Sequence, residues 1–284
     1  MLLNNTKNLK TPLRYPGGKS KSIKYISPLI PDYDEYREPF IGGASVFIHL
    51  KQTYPNKIYW INDLYSSLYI FWNELKTHPM EVILQINEWK NEYKNNEKQM
   101  FKYAIENLDS PDGVKAGAAF YVINKTSFSG LSSSGSFSQQ AVTQNFTDNC
   151  INKLDSISKV LGNTTITNLD YSELINKPGK NVFLFLDPPY FLGKKSNLYG
   201  KNGDMHKNFN HELFAETIKK CPHKWLITYN DCPEIRELFN APGITIQSWE
   251  VGYTMHIHHN ENKQQKSKEI FIYNYDLNNA KSWF

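Results

Sequence analysis

Three features of the sequence predict an α/β fold with a mostly parallel β-sheet. Residues 182–186 are five consecutive apolar residues rich in β-formers, which is typical of a strand buried on both faces. Residues 36–50 read as a short strand, a glycine-rich turn and a helix. Residues 57–61 form another short strand before a predicted helix at 64–75. Because strands alternate with helices, a parallel sheet covered by helices is the expected architecture.

The composition fits one large domain, or a main domain with a substantial insertion. The chain has 284 residues, 40% of them hydrophobic, and no segment approaches the roughly 20 consecutive apolar residues of a membrane span. Residues 1–11 are polar and lack the apolar run of a signal peptide. The net charge of +4 is a mild basic bias, compatible with nucleic-acid binding. Cys150, Cys221 and Cys232 have no spacing typical of zinc or disulfides, which favours the cytoplasm.

The buried strand at 182–186 ends abruptly at Asp187-Pro188-Pro189-Tyr190. Neither proline can donate a hydrogen bond to a neighbouring strand, and the carboxyl ends of strands are where open α/β sheets bind ligands. The Asp187 carboxylate and the Pro188 carbonyl are two acceptors suited to a planar amino group, and Tyr190 offers a ring on which a flat base can stack. An ordinary Pro-Pro turn after a buried strand is the structural alternative.

A second group of candidate ligand-binding residues follows the first two predicted strands. Gly42 and Gly43 lie in the turn between strand and helix, a geometry that lets a cofactor approach backbone amides. Asp63 follows the next strand about 20 residues later, where an acid can accept hydrogen bonds from a ribose. The alternatives are that the glycines serve only the tight turn and that Asp63 caps the following helix.

Residues 9–22 contain a Pro-Gly-Gly loop followed by Lys19 and Ser20. The end of this segment is similar to a phosphate-binding loop. However, Leu13 stands where the first glycine is required and no strand leads in, so a nucleoside-triphosphate loop is excluded. Ser20 is instead predicted to cap a helix at 23–30.

From residue 77 to about residue 161 the character of the sequence changes. Charged helical segments at 88–108 precede a loop rich in serine and glycine at 125–138. Phe128 and Phe137 stand out there, because phenylalanine is not expected in a flexible linker. Small hydrogen-bonding residues around a protruding aromatic ring suit a DNA groove and an unstacked base step, which favours DNA recognition over a disordered linker.

Two further loops carry basic residues. The loop at 191–210 is long, glycine-containing and rich in lysine, which predicts a mobile cover that contacts phosphate; a plain exposed loop is the alternative. The segment at 252–268 contains His256, His258 and His259, but no carboxylate or cysteine shares a strict spacing with them, so no metal site is predicted. A basic hairpin tip near DNA is favoured for this segment over a solvated tip.

The remaining elements continue the alternation of strands and helices. Asp170 ends a strand at 164–170, and Asn210 is predicted to cap a helix with Leu213, Phe214 and Ile218 inward. Residues 231–234 are similar to a capping box at the start of another helix. The later strands are expected at 224–229, 244–251 and 269–275, the last two as a pair.

Five motifs, taken in order, resemble those of one known family. They are Leu13-Arg14-Tyr15-Pro16-Gly17-Gly18-Lys19, residues 38–45, Asn62-Asp63-Leu64, residues 124–130 and Asp187-Pro188-Pro189-Tyr190. They nearly span the chain, which is therefore similar to the D12-class, Dam-type S-adenosylmethionine-dependent DNA adenine methyltransferases. The resemblance implies a Rossmann-like seven-stranded methyltransferase sheet with helices on both faces and an antiparallel last strand. It also implies a catalytic domain of residues 1–76 and 162–284, with a mostly helical target-recognition domain inserted at 77–161.

The resemblance also assigns roles to individual residues. Asp187, Pro188 and Tyr190 are the expected catalytic residues, which hold the adenine N6 amine and stack on a base flipped out of the duplex. The residues expected to bind S-adenosylmethionine, the methyl donor, are Tyr15, Lys19, Phe40, Gly42, Asp63, Asp170 and Asp187. The residues expected to contact DNA are Arg14, Lys125, Ser127, Phe128 and Ser129. Double-stranded DNA is the expected partner, a cognate restriction endonuclease is a further candidate, and no metal is expected.

Two positions depart from the family pattern. The recognition loop reads Ser127-Phe128-Ser129-Gly130 where Gly-Tyr-Asn-Gly is frequent, which leaves the target sequence open. Ala44 stands where a second glycine is frequent, a small change that is not expected to block the cofactor.

Three other functions remain open at this point. A cytosine-N4 methyltransferase would use the same two acceptors, although serine is more frequent there at the position of Asp187. An RNA amine methyltransferase and a catalytically inert DNA-binding protein on the same fold are the others. A cytosine-C5 methyltransferase is disfavoured, because methylation of an amine needs no cysteine nucleophile.

Overall fold

The computed structural model describes residues 9–130, 135–191, 209–251 and 267–277 of the chain. The predicted lysine-rich cover lies almost entirely outside the described residues. So does most of the predicted basic hairpin tip, including His256, His258 and His259.

Within the described ranges, seven strands form one sheet, as predicted. The strands are β1 (Glu35–Glu38), β2 (Ile58–Asn62), β3 (Thr164–Thr167), β4 (Val182–Leu186), β5 (Lys224–Asn230), β6 (Thr245–Val251) and β7 (Ser267–Tyr273). Their order across the sheet is β3-β2-β1-β4-β5-β7-β6. The first five are parallel, whereas β7 runs antiparallel to both of its neighbours, which confirms the predicted antiparallel last strand.

Strand β4 lies in the middle of the sheet and is buried along its whole length. Phe183 and Phe185 contribute to the hydrophobic core on one face, and Val182, Leu184 and Leu186 to the core on the other. Successive side chains of a strand point to opposite faces, so a strand covered on both sides needs an uninterrupted apolar sequence. This explains the run that predicted the strand.

Helices cover both faces of the sheet, as the family resemblance implied. Outside the segment between β2 and β3, the described helices are α1 (Ile23–Ile26), α2 (Ser45–Thr53), α9 (Tyr171–Asn176), α10 (His211–Lys219) and α11 (Pro233–Leu238). Helices α1 and α2 contribute to the core on the β4 phenylalanine face, whereas α9, α10 and α11 contribute to the other.

The chain between β2 and β3 is helical. Its helices are α3 (Ser66–Thr77), α4 (Pro79–Glu92), α5 (Glu97–Glu106), α6 (Gly113–Thr126), α7 (Gln139–Asn145) and α8 (Asp148–Leu161). Every residue of α6 from 116 to 126 is buried. Phe120 and Ile151 belong to the same core cluster as Phe183 of the sheet, and each such side chain contributes about 1.5–3 kcal/mol on burial. The helical segment is therefore packed onto the sheet through a shared core.

Three local predictions were wrong, each because a side chain has a partner or an environment other than the one that the local pattern indicated. Ser20 does not cap a helix, because its hydroxyl lies 3.0 Å from the Ser45 hydroxyl and α1 is a short helix between two 3-10 turns. Asp231 does not form a capping box, because its carboxylate binds the Arg236 guanidinium at 2.6 Å and 3.0 Å. Leu213 is 53% exposed, since it points into a large cavity instead of the core.

The predicted cap of α10 is confirmed. The Asn210 side chain accepts a hydrogen bond from the Leu213 amide at 2.9 Å, which satisfies one of the free amides at the start of the helix.

Candidate active site

A cavity of about 840 Å³ opens at the carboxyl ends of the central parallel strands. It is lined by residues that follow β1, β2, β3 and β4, together with the N-terminal loop at 15–19. All the residues that the sequence assigned to catalysis or to the cofactor line this cavity. They are Tyr15, Lys19, Phe40, Gly42, Asp63, Asp170, Asp187, Pro188 and Tyr190.

The floor of the cavity includes the turn between β1 and α2. Gly42 has a φ of +45°, and a Cβ at this position would lie 2.9 Å from Cε1 of the Tyr15 ring. Only glycine therefore allows both this backbone conformation and the close approach of Tyr15. Ala44, which stands where the family frequently has a second glycine, has a φ of 59° and precedes α2. The alanine therefore adopts a left-handed conformation at this position.

Asp63 is held at the end of β2 by two backbone amides. Gly42 N donates to Oδ2 at 3.0 Å, and Tyr65 N donates to Oδ1 at 3.0 Å. Burial raises the pKa of the Asp63 carboxyl to about 6, although both hydrogen bonds act to lower it. Asp63 therefore braces the turn before α3 and lines the cavity, but it does not cap α3, whose cap residue is Tyr65.

Asn62 belongs to one of the five motifs, but the sequence assigned it no role of its own. Its buried side chain donates to the carbonyls of Pro39 and Leu169, at 3.1 Å and 2.9 Å. It also accepts from the Leu169 amide and the Thr167 hydroxyl, at 2.8 Å each. Asn62 therefore ties together the segments that leave β1 and β3. A polar residue at the end of an apolar strand was the signal that could have identified it.

Asp187 is engaged through both of its carboxylate oxygens. Lys19 Nζ donates to Oδ2 at 2.7 Å, and the Thr228 hydroxyl donates to Oδ1 at 2.6 Å. Lys19 is only 4% exposed and lies 5.0 Å from the centre of the Tyr190 ring. Lys19, which the resemblance assigned to the cofactor, thus forms an ion pair with the predicted catalytic acid in this structure.

The far side of the cavity is aromatic. The Phe40 ring lies 5.6 Å from Tyr171 and 5.8 Å from Phe209. Asp170 stands at the same side as the cap of α9, where one carboxylate oxygen accepts hydrogen bonds from the Ser172 amide and hydroxyl. Flat apolar rings beside an exposed carboxylate can accommodate a planar base with an amino group.

Glu38 is the fourth acid of the cavity lining, after Asp63, Asp170 and Asp187, and the sequence assigned it no role. It is buried at the end of β1 and accepts a hydrogen bond from the Tyr36 hydroxyl at 2.6 Å. Burial raises the pKa of the Glu38 carboxyl well above its usual range, and the nearby acids Asp187 and Asp63 act in the same direction. The cavity therefore contains carboxyl groups in clearly different electrostatic environments.

The predicted DNA-recognition loop meets the cavity through the side chain of Asn124. Its Oδ1 accepts from the Arg14 amide at 3.0 Å, and its Nδ2 donates to the carbonyls of Arg14 and Gly130 at 2.8 Å and 2.9 Å. The Arg14 guanidinium in turn donates to the Ser127 carbonyl at 2.8 Å. Gly130 lines the cavity, so Asn124 places the predicted recognition turn (Phe128–Gly130) at the edge of the cavity.

The predicted DNA-contacting residues differ in exposure. Phe128 lies in a 3-10 turn (Phe128–Gly130) and is 66% exposed. Ser127 is fully buried, and Lys125 is 7% exposed with its ammonium 5.5 Å from the Tyr121 ring. Phe137, the second phenylalanine of the loop, packs against Phe101 at 5.8 Å. One aromatic ring is thus presented to solvent, and the other anchors the loop.

Comparison with known proteins decides what this site belongs to. A family model described as D12 class N6 adenine-specific DNA methyltransferase matches residues 15–255, most of the chain. The chain belongs to that family. The matched range contains all the cavity residues described above as well as the Phe128 turn.

Individual relatives of this methyltransferase are distant but cover most of its length. The type II methyltransferase M.CviBI of Paramecium bursaria Chlorella virus NC1A is 26% identical over 88% of this chain and 93% of that protein. The type II methyltransferase M1.LlaDCHI of Lactococcus lactis subsp. cremoris is 26% identical over 75% of this chain and 76% of that protein. The DNA adenine methylase of Vibrio cholerae El Tor Inaba is 25% identical over 82% of this chain and 86% of that protein.

Family membership identifies the protein as an adenine-specific DNA methyltransferase and implies S-adenosylmethionine as its methyl donor. Within the described ranges, no group of three or more His, Cys, Asp or Glu side chains is arranged to hold a metal ion. No helix in those ranges combines the length and the hydropathy that crossing a bilayer requires.

Proposed function

We propose that this methyltransferase transfers the methyl group of S-adenosylmethionine to the N6 amine of an adenine flipped out of double-stranded DNA in the cytoplasm. The observation that carries the proposal is the position of Asp187. Its carboxylate lies at the end of the central strand, in the same cavity as the glycine turn and Asp63. A hydrogen-bond acceptor for the target amine and the proposed binding site of the methyl donor thus lie in one cavity.

The cavity residues fit S-adenosylmethionine. Gly42 and its neighbours leave a cradle against backbone, and a side chain at this position would collide with Tyr15. In the proposal, the Asp63 carboxylate accepts hydrogen bonds from the ribose hydroxyls of S-adenosylmethionine. Tyr15 and Phe40 contact the flat or apolar parts of the same molecule, and Asp170 accepts a hydrogen bond from its adenine amino group. When bound, S-adenosylmethionine supplies a methyl group on a positively charged sulfur.

Asp187 and Pro188 are proposed to hold the amine that accepts this methyl group. The lone pair of an exocyclic adenine amine is delocalised into the ring, so the amine is a poor nucleophile. Hydrogen bonds from both amino hydrogens to the Asp187 carboxylate and the Pro188 carbonyl favour a tetrahedral nitrogen with an available lone pair. A carboxylate has about four acceptor positions, so the bonds from Lys19 and Thr228 leave Asp187 able to accept this one.

The target base is proposed to leave the duplex in order to reach these acceptors. Tyr190 stacks on the flipped base, and catalysis consists mainly of positioning and electrostatics. Phe128 is exposed at the edge of the cavity, where it is suited to fill the space left in the base stack. Arg14, which is braced on the Ser127 carbonyl, contacts the backbone next to the target.

We assign target recognition to the inserted segment at 77–161 and catalysis to residues 1–76 and 162–284. In this assignment Lys125 and Ser127 support the recognition turn from inside, because both are buried. Ser129 belongs to the same turn. The type II names of several relatives support a site-specific target and a cognate restriction endonuclease as a candidate partner.

The proposal is tested by incubating the protein with duplex DNA and S-adenosylmethionine labelled in its methyl group. Mass spectrometry of the digested nucleosides is expected to find the label in N6-methyladenine. Label in N4-methylcytosine would favour a cytosine-N4 methyltransferase. In a parallel reaction with RNA, label in RNA but not in DNA would favour an RNA amine methyltransferase. Binding of DNA without any transfer would identify an inert DNA-binding protein.

The role of Asp187 is tested in the same assay by Asp187→Ala. Transfer is expected to fall by at least about 1,000-fold, because one of the two groups that orient the nucleophile is lost. Asp231→Ala is a matched control, since Asp231 follows the adjacent strand β5 but binds Arg236 outside the cavity lining. If Asp187→Ala transfers methyl groups like the wild type, the amine-holding role is wrong.

A further inference from the structure

The turn that carries the predicted catalytic residues cannot be held by its own backbone amides alone. Pro188 and Pro189 have no N–H, so two consecutive positions cannot donate a main-chain hydrogen bond. The geometry of a reacting group has to be held closely for efficient catalysis. Residues outside the turn must therefore hold Asp187 and the residues that follow it.

Strand β5 lies directly beside the turn. The parallel register pairs Leu186 of β4 with Ile227 of β5, so one step further along the two strands Asp187 lies beside Thr228. Thr228 is completely buried, and its hydroxyl donates to Asp187 Oδ1 at 2.6 Å. The hydrogen bond thus follows directly from the register of two central strands.

Thr228 contributes something that the ion pair with Lys19 does not. A lysine ammonium is a compact charge on a flexible stem, and it sets the orientation of a carboxylate only loosely. A threonine side chain is stiff at χ1 because it is β-branched, and here it belongs to a buried strand. With Lys19 on Oδ2 and Thr228 on Oδ1, rotation of the carboxylate about its Cβ–Cγ bond is opposed at both oxygens.

The same strand also holds the exit of the turn. Two residues after Thr228, the Asn230 side chain donates to the Phe191 carbonyl at 2.7 Å and accepts from the Phe191 amide at 3.0 Å. Side chains two apart in a strand lie on the same side, which allows both to face one segment. Thr228 and Asn230 therefore brace the Asp187–Phe191 segment at its two ends.

We infer that Thr228 is a positioning residue for methyl transfer, which acts by orienting the Asp187 carboxylate, and that Asn230 supports it by holding the backbone at Phe191. The inference rests on the proposed function, because it assigns Asp187 the role of amine acceptor. Thr228 does not line the cavity, so it acts on the substrate through Asp187.

The test is steady-state kinetics of Thr228→Val and Thr228→Ser with duplex DNA and S-adenosylmethionine. Valine keeps the shape and removes the hydroxyl, whereas serine restores it. For Thr228→Val we expect kcat to fall by about 10- to 100-fold, the scale on which a misplaced reacting group slows an enzyme, with the KM values for both substrates unchanged. Thr228→Ser is expected to recover most of the wild-type kcat. Asn230→Leu is expected to lower kcat as well, as Thr228→Val does.

Thr164→Val is the matched control. Thr164 is also a buried strand threonine, but it begins β3, at one edge of the sheet, and its hydroxyl has no hydrogen-bond partner in the described part of the chain. It is expected to keep wild-type kinetics. Melting temperatures of all variants are measured together, and if Thr228→Val does not fold, comparison of Thr228→Ser with Thr228→Ala tests the same hydroxyl.

Each outcome bears on a separate claim. A normal kcat for folded Thr228→Val overturns the positioning role. Equal losses for the valine and serine variants overturn it as well, because the hydroxyl would then not be the cause. A wild-type protein that transfers no methyl group to DNA overturns the proposed function itself, whereas an active wild type with an equally active Thr228→Val overturns only this inference.

Discussion

The cavity at the strand ends and the recognition turn beside it differ in how their residues are held. Around the cavity, Asp63 and Asp187 are each held by two hydrogen-bonding partners. In the recognition turn, Phe128 is 66% exposed. Chemistry that needs fixed distances is thus built on the sheet, whereas the surface proposed to meet DNA is an exposed side chain on a loop.

The two regions are nevertheless joined at one point. Arg14 precedes Tyr15, which lies against the glycine turn of the cavity, and Asn124 binds the main chain of Arg14 and of Gly130. A rigid site and an exposed turn therefore share the N-terminal segment. Substitutions on either side are expected to affect different steps, cofactor binding on one side and DNA on the other.

The largest expected effect on cofactor affinity is on the cavity side, from Gly42→Val. A side chain at this position would meet Tyr15 at 2.9 Å, and a φ of +45° strains any β-branched residue. We expect affinity for S-adenosylmethionine, measured by calorimetry, to fall by at least about 100-fold, with a local rearrangement of the turn costing about 3 kcal/mol.

Gly243→Val is the control for backbone strain alone. Gly243 also has a positive φ, of +78°, but a Cβ there would meet nothing within 4 Å. Cofactor affinity is expected to stay at the wild-type level. Equal losses for both variants would mean that general destabilisation, and not the space beside Tyr15, explains the result.

On the recognition side, Phe128→Ala is expected to lower kcat/KM on duplex DNA by about 10- to 100-fold, because an aromatic stacking contact is worth about 1–3 kcal/mol. Affinity for the cofactor should not change. DNA in which the target adenine faces a mismatched base is expected to recover part of the loss, since less energy is needed to flip that base.

Leu84→Ala is a suitable comparison, because Leu84 is also exposed and lies on α4, within the inserted segment. It is expected to behave as the wild type. A Phe128→Ala protein with normal kinetics on duplex DNA would contradict the role of the turn in recognition.

A smaller, pH-dependent effect is expected at Asp63. Because its pKa is raised to about 6 from the ordinary 3.8, the carboxyl is neutral in the free protein below pH 6 and ionised above it. The ionised form is the better acceptor for ribose hydroxyls, so affinity should weaken as the pH falls, by about tenfold at pH 5. Calorimetry between pH 5 and 8 measures this, and Asp63→Asn is expected to bind more weakly without that pH dependence.

The opposite sign holds for stability. A carboxyl whose pKa is raised in the folded protein stabilises it fully below the unfolded pKa, and this contribution is lost as the pH rises through about 6. In the absence of the cofactor, Asp63→Asn should therefore remove a destabilising contribution above pH 6. Affinity that is constant from pH 5 to 8 in the wild type would argue against contact between Asp63 and the ribose.

At the junction of the two regions, Asn124→Ala is expected to act on stability. Three hydrogen bonds of a buried amide are lost, and we expect unfolding free energy to decrease by about 2 kcal/mol. Denaturant unfolding measures this. Asn91→Ala, at an exposed position of α4, should change stability by no more than about 0.5 kcal/mol. An equally small change for Asn124→Ala would mean that the junction contributes little.

Local sequence was sufficient for the central strand and for the cap of α10. The five apolar residues of β4 predicted its ends correctly, because a strand covered on both faces tolerates no polar residue along its length. The cap of α10 was also predictable, since Asn210 needs only the amide of Leu213 three residues later. Both depend on contacts that are near in sequence or on a pattern that burial imposes.

Partners that are distant in sequence could not be predicted in this way. Ser20 was expected to cap a helix, but its hydroxyl lies 3.0 Å from that of Ser45, 25 residues away along the chain. A polar side chain has several possible partners, and the sequence does not say which of them folding brings within 3 Å. The same limit applied to Thr228, which lies 41 residues from Asp187 along the chain.

The sequence by itself determined the fold class, the family and nine of the residues that line the cavity, because these follow from apolar periodicity and from motifs at fixed spacing. Only the tertiary structure decided that Lys19 pairs with Asp187, that Lys125 and Ser127 are buried, and that Phe128 is exposed. The physical reason is that exposure and pairing depend on which helices and strands pack together. In this protein, the N-terminal loop lies at the end of β4 and pairs Lys19 with Asp187, whereas the packing of α6 buries Lys125.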